Sequence, residues 1–442
     1  MIRPRICFSA FLLASFCAGA GCGGGGNAPS QPINPPSSAS ITSVTVSCAV
    51  TQVETSQTDQ CTDIVQGTGN FSPLVTWKVS AGTISSAGLF TAPGTTGTVT
   101  VTATSNADST KSGSKTITIT QAGPTISNFD YKGITHVSWS NGEYSSSTGT
   151  SAQDALAATG ANWVGVLVTQ YMATRTSNTI STPTPSDTDV VAAIQELHAR
   201  GLKVMLKPHV DVQDGTWRGQ IAPSDVAAWF QSFTAFITHY AQLAQDNHVE
   251  MLCFGTEYAS MSGSSNQASW TAVITAIRGI YTGPLAYAAN ATFSTDEFKS
   301  VSFWDQVDVI GLDAYFSLTN HSDPTVAELV AAWSSNLNGE NILGDIENFS
   351  NAHPGKPLIF TEIGYRSAAG TNTRPYDFSF SAPADNTEQQ NCYEAMYEVW
   401  SAQSSWMKGN FWWAWPVPVP AANDTDYNPR NKPAQTVLEN WQ

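Results

Sequence analysis

Positive charge is scarce in this chain. Nineteen Lys and Arg stand against 35 Asp and Glu in 442 residues, a formal net charge of −16. Such a surface has no basic surplus to replace the counterions around phosphate, which argues against nucleic acid as a partner and against adsorption to anionic lipid. Charged residues of either sign make up 12% of the chain and hydrophobic ones 41%, a balance that belongs to a globular protein and not a disordered one. Long apolar runs are missing too. The stretch from Phe8 to Phe16 is too short to span a bilayer, and no other stretch could cross one. Cysteine is sparse and uneven. Cys7 and Cys17 fall at the N-terminus, Cys253 reads as a small buried hydrophobe, and Cys392 sits in a helical pattern. Cys48 and Cys61 lie close enough in sequence to form a disulfide in an oxidising compartment. No Cys/His spacing suits zinc, and no metal or cofactor is expected.

What is present begins with a targeting segment. Arg3 and Arg5 precede the short apolar stretch, and small residues follow, so residues 1–21 read as a signal peptide. The Ala20-Gly21-Cys22 ending resembles the bacterial lipobox, which makes Cys22 the expected lipid anchor; Gly19 departs from the Leu usual there, and Ala18-Gly19-Ala20 also fits ordinary cleavage. Residues 22–40, rich in Gly, Pro and Ser, form a flexible tether. The protein is therefore expected to be exported, either anchored to the outer membrane or extracellular, with membrane contact only through that anchor.

Residues 41–120 alternate apolar and polar side chains between Gly, Pro, Asn and Ser turns, as in Val75–Val79, Thr98–Ala103 and Lys115–Thr120. The stretch Val75 to Pro93 resembles the bacterial Ig-like (BIG2-type) modules of secreted proteins, and a small all-β Ig-like sandwich is expected. From residue 127 to 442 strand and helix alternate, which means a parallel sheet. Eight strands are expected: Gly133–Trp139, Trp163–Tyr171, Lys203–Asp211, Met251–Tyr258, Leu285–Asn290, Val307–Phe316, Leu358–Tyr365 and Asn410–Trp415. Asp187 is expected to cap a helix over Val190 to Arg200, and Pro223-Ser224-Asp225 to open a longer one. Eight such units fit one α/β (β/α)₈ TIM barrel.

Two of these strands end unusually. Phe254-Gly255-Thr256-Glu257 and Phe360-Thr361-Glu362 are apolar runs that each reach a glutamate, at the ends of strands four and seven. A carboxylate seldom lies at the core side of a strand unless it is paired or used. In a barrel the C-terminal strand ends build the site, so these two can face each other across it. Facing carboxylates are what glycoside hydrolysis requires. The bland alternative for each is membership of a buried salt bridge.

Six strings in order carry a resemblance over residues 130 to 420. They are Lys207-Pro-His-Val-Asp211, Asp214-Gly-Thr-Trp-Arg-Gly219, Gly255-Thr-Glu257, Asp308 to Phe316, Phe360 to Arg366, and Phe411-Trp-Trp-Ala-Trp415. Together they resemble clan A of the glycoside hydrolases and, more closely, family 113, best known for β-1,4-mannanases. The resemblance implies Glu257 as acid/base and Glu362 as nucleophile. Thr256 stands where the clan has an asparagine that bonds the sugar 2-hydroxyl, and Asn290 is the candidate to supply that contact. The clan's strand-two arginine has no clear match, which leaves Arg218, Lys207 or Arg366 as the positive charge near the nucleophile.

The supporting residues follow from position. His209 and Asp211 are two apart on a strand and share a face; with Asp214 they form a weak ligand set, and sugar-hydroxyl binding at His209 is the favoured reading. Trp217, on a loop with no apolar pattern around it, is expected to stack on a sugar beside Arg218. Tyr315 could donate to Glu362. Trp413 and Trp415 are expected to share a face of strand eight, with Trp413 as the floor of the site and Trp139, ending strand one, similarly placed. The expected protein is a monomeric retaining glycoside hydrolase acting on β-1,4-linked mannan-type polysaccharide. The alternatives are a β-mannosidase, another β-1,4-glycanase, or, from a different class, a non-catalytic surface protein for carbohydrate binding or adhesion.

Overall fold

The computed structural model describes residues 39–55, 57–120, 129–292, 295–421 and 423–441. The signal peptide, Cys22 and all but the last two residues of the tether lie outside them. The chain falls into two compact units, divided at Gly123 and Pro124.

The first unit consists of two four-stranded sheets. One orders the strands Ser40–Cys48, Thr58–Thr68, Leu89–Thr91 and Thr83–Ile84; the other orders Gln52–Glu54, Ser112–Thr120, Gly97–Ser105 and Val75–Val79. Alternate residues of both, including Val44, Val46, Phe90, Val99, Val101, Ile117 and Ile119, meet in one core. That is the outcome of period-two patterning, since successive side chains point to opposite faces. A disulfide joins Cys48 to Cys61, which are cross-strand partners in the first sheet.

The second unit is a closed parallel barrel. Its strands are β1 (Tyr131–Val137), β2 (Trp163–Met172), β3 (Lys203–Val212), β4 (Met251–Thr256), β5 (Leu285–Thr292), β6 (Val309–Ala314), β7 (Leu358–Ile363) and β8 (Met407–Pro416). Each pairs with the next in parallel, and β8 returns to pair with β1. Helices fill the connections. The one at Asp187–Ala199 begins one residue after Ser186, so Asp187 lies in its first turn and is not the cap; it stops before Gly201, at φ 78°. Asp225 caps the long helix Val226–Asp246 by accepting the Ala228 N–H at 3.0 Å. Its buried face, with Trp229, Phe233 and Tyr240, joins Trp270, Tyr258, Tyr287 and Phe303 in an aromatic cluster behind β4 and β5.

Inside the barrel the lining changes with depth. The lower layer is apolar: Met205, Met251, Cys253, Ala286, Ala288, Val309, Ile359 and Phe411. Two residues further along the same strands stand Lys207, Asn290, Thr361 and, four from Val309, Asp313, all buried. The period of two thus runs each strand from an apolar floor to a polar mouth. Strand β8 departs from it. Its register shifts between Trp412 and Trp415, around a cis Trp413–Ala414 bond. Trp413 and Ala414 therefore both face inward with Val137 and Leu167. Trp415 faces the outer helical layer, its indole N–H on the Ala152 carbonyl at 3.0 Å, so Trp413 and Trp415 do not share a face.

Candidate active site

Glu362, the penultimate residue of β7, lies at the level of Asp313 on β6 and Asn290 on β5, which are lateral neighbours in the register. Its carboxylate accepts two hydrogen bonds. Lys207 donates from Nζ to Oε1 at 2.5 Å, and Tyr315 donates from its hydroxyl to Oε2 at 2.9 Å. His209 Nε2 stands 3.6 Å from Oε1, beyond a hydrogen bond. Lys207 also reaches both oxygens of Asp313, at 3.1 and 3.3 Å, and Thr361 donates to Asp313 at 2.7 Å. Burial alone would favour the neutral amine, but Asp313 and Glu362 together outweigh it and hold Lys207 above its ordinary value. The positive charge beside Glu362 is therefore Lys207. Arg366 is spent elsewhere, on the carbonyls of Phe380 and Thr425.

Glu257 follows the last residue of β4. Its backbone turns into the left-handed region, φ 54°, and its N–H bonds the Ala288 carbonyl at 2.8 Å. Few non-glycine residues adopt that region, and those that do cluster at functional sites. The carboxylate accepts from the Asn290 amide on Oε1 at 2.7 Å. On Oε2 it accepts from the Trp217 indole at 3.0 Å and Arg218 at 3.3 Å. Asn290, which bonds Glu257, lies opposite Asp313, which lies opposite Glu362, so both glutamates stand at the same end of the barrel.

Other anticipated residues have defined places. Arg218 is held by Asp211 at 3.0 Å from Nε, and Asp214 accepts the Thr216 N–H within its own turn, so Asp211 and Asp214 are engaged apart from His209. Burial first, then the charges of Arg218 and Lys207, push His209 well below the usual histidine range, which leaves a neutral imidazole. Its ring lies parallel to that of Trp413, 6.2 Å between centroids. The Trp217 ring, anticipated as a sugar platform, lies across Gly219, where any Cβ would come within 2.2 Å of it, and its N–H is committed to Glu257. Asn290, anticipated at the sugar, is likewise bonded to Glu257. Thr256 is fully buried, with no hydrogen-bond partner for its hydroxyl among the described residues. Trp139 is 53% exposed and lines a rim cleft with Trp413, Tyr427 and Asn428.

Sequence reading passed over two acids. Asp313 lay in a quoted string without a role. Glu297, behind Asn290, follows a strand with no pattern to flag it. The signal for Asp313 was there: a charged residue at an inward position of a strand otherwise apolar.

Comparison with known proteins fits this geometry. No curated protein matches. Among solved structures, a family 113 β-mannanase from Alicyclobacillus acidocaldarius is 28% identical, with a TM-score of 0.63 over 72% of this chain and 98% of its own. Two further structures of family 113 β-1,4-mannanases are 24% and 25% identical, with TM-scores of 0.61 and 0.60, each over 70% of this chain and 97% of its own. Residues 135–432 match the sequence model of Glycoside Hydrolase Family 113. That span holds β2 to β8 whole, the last three residues of β1 and both glutamates, and the chain belongs to glycoside hydrolase family 113.

Proposed function

We propose that this glycoside hydrolase is a retaining, endo-acting β-1,4-mannanase in which Glu362 attacks the anomeric carbon and Glu257 serves as acid, then base. The observation that carries the reading is the unequal dressing of the two carboxylates. Glu362 is held by a buried ammonium and a phenol, Lys207 and Tyr315, which fix its aim and balance its charge. Glu257 is held by an amide, an indole and an arginine, Asn290, Trp217 and Arg218. In a retaining site the nucleophile forms a glycosyl ester while the acid protonates the leaving oxygen. Once the ester has formed, the second residue takes a proton from water.

For the sugar, support comes from the family and from its solved members, which are β-mannanases. The axial 2-hydroxyl of mannose needs a polar partner off the ring plane. His209, neutral and with Nε2 unpartnered by a hydrogen bond among the described residues, is suited to that hydroxyl. A site built to bond a hydroxyl discriminates strongly against analogues that leave its groups unpaired. Trp413 and Trp139 offer ring faces for sugars. Upstream, the reading includes export, lipid attachment at Cys22, and an Ig-like spacer that holds a monomeric enzyme away from the surface.

A hydrolysis panel of mannan, glucomannan, xylan, cellulose and chitosan, with product sizing, tests the assignment. Mannan should be cut fastest, into mixed oligosaccharides from the start. Equal or faster cleavage of cellulose or xylan would overturn the substrate, and release of single mannose units alone would make the enzyme a β-mannosidase.

A further inference from the structure

Glu297 has no place in the mechanism above, yet it is 3% exposed. It opens a one-turn helix, Glu297–Lys299, just after β5. A carboxyl buried so deeply is kept only where its oxygens are used. Each has a use, and both lead to Glu257.

The first arm runs through an aromatic ring. Oε1 of Glu297 accepts the Tyr287 hydroxyl at 2.6 Å, and that hydroxyl oxygen accepts the N–H of Tyr258 at 3.1 Å. Tyr258 follows Glu257, so this arm ends on the peptide immediately beyond the left-handed turn. The second arm runs through an amide. Oε2 accepts the Asn290 N–H at 2.7 Å, and the Asn290 side chain donates to Oε1 of Glu257 at 2.7 Å. One carboxyl thus grips both the backbone that carries Glu257 and the side chain that orients its carboxylate. The remaining neighbours do not compete for it. Lys299 on the same turn reaches away to Asp296 and Asp345.

We propose that Glu297 is a positioning residue for the acid/base, fixing Glu257 through Tyr287–Tyr258 on one side and Asn290 on the other. The proposal rests on the reading of Glu257 as acid/base. A residue that acts through an acid matters where a leaving group needs a proton and not where it leaves unaided. A purely structural carboxyl would affect both kinds of substrate alike.

The test compares kcat/KM on a mannan oligosaccharide and on 2,4-dinitrophenyl β-mannoside for wild type, Glu297→Gln, Tyr287→Phe and Glu257→Gln, with a thermal unfolding midpoint for each. Glu297→Gln should lower the oligosaccharide value on the order of 10- to 100-fold, part of what a placed acid contributes, and change the aryl value by less than about 3-fold. Tyr287→Phe, which cuts one arm only, should show the same selectivity to a smaller degree, and it carries the test should Glu297→Gln not fold. Added to Glu257→Gln, the Glu297 change should cost less than about 3-fold more on the oligosaccharide, because both act through one group. Equal losses on the two substrates, or full additivity in the double variant, would overturn the proposal. If Glu257→Gln itself lacks leaving-group selectivity, the acid/base reading fails; if it is selective and the Glu297 variant is not, only the positioning role fails.

Discussion

A single lysine decides the electrostatics at the mouth of the barrel. Lys207 is wholly buried between two acids that lie 106 and 155 residues further along the chain, Asp313 and Glu362. Removing one member of a buried ion network leaves the rest uncompensated, at a cost of about 3–5 kcal/mol. Lys207→Met should therefore lower the unfolding free energy by about that amount in denaturant titration, and lower kcat at least as steeply as it weakens substrate binding. A loss within about 1 kcal/mol, the range of an exposed pair, would contradict this account. Glu297 gives a pH signature. Burial, opposed by its hydrogen bonds and aided by the Glu257 charge, pushes it from the ordinary 4.5 up to about 7. Between those values the folded chain holds more protons than the unfolded one. Its contribution to stability is thus full below the unfolded value and is lost as pH rises through about 7. Glu297→Gln should flatten the fall in unfolding free energy across that window, by an amount on the order of 3 kcal/mol; an unaltered slope would refute the assignment. At this scale the sequence was half legible. Period two put His209 and Asp211 on one face, but which carboxylates Lys207 would meet depends on strands far away in the chain.

Strands and their registers explain what was misjudged. The eight barrel strands were readable because buried parallel strands are continuous apolar runs, and their placement fell within a few residues of the expected spans. Bulges were not readable. The shift between Trp412 and Trp415 turns Trp415 outward, and nothing in Phe411-Trp-Trp-Ala-Trp415 announces it, because a bulge is set by the neighbouring ladders. The left-handed turn at Glu257 is hidden for the same reason. Close strand contacts give a test at this level. A Cβ on Gly311 of β6 would lie 2.5 Å from Thr361 Cγ2 and 2.7 Å from the Tyr287 carbonyl. Thr361 holds Asp313, and Tyr287 leads to Glu257. Gly311→Ala should destabilise by about 1–3 kcal/mol through overpacking, and should reduce turnover beyond the loss of folded enzyme. Wild-type turnover per folded molecule would argue that the register of β5, β6 and β7 is not what sets the site.

On the scale of the whole molecule, the two units have separate cores, and all the candidate catalytic residues belong to the barrel. Removing residues 1–123 should therefore leave kcat/KM on soluble oligosaccharides within about 2-fold, by initial-rate assay, since no group that touches substrate is lost. A collapse of activity would mean that the first unit takes part in the site. In the sequence, alternating strands give way to alternating strands and helices near residue 127, and the compact units divide at Gly123 and Pro124. The central claim is the division of labour between Glu257 and Glu362, and proton NMR of a wild-type digest tests it most directly. A displacement by Glu362 followed by water means that the β-anomer of the new reducing end appears first and the α-anomer follows by mutarotation. The α-anomer appearing first would contradict the account.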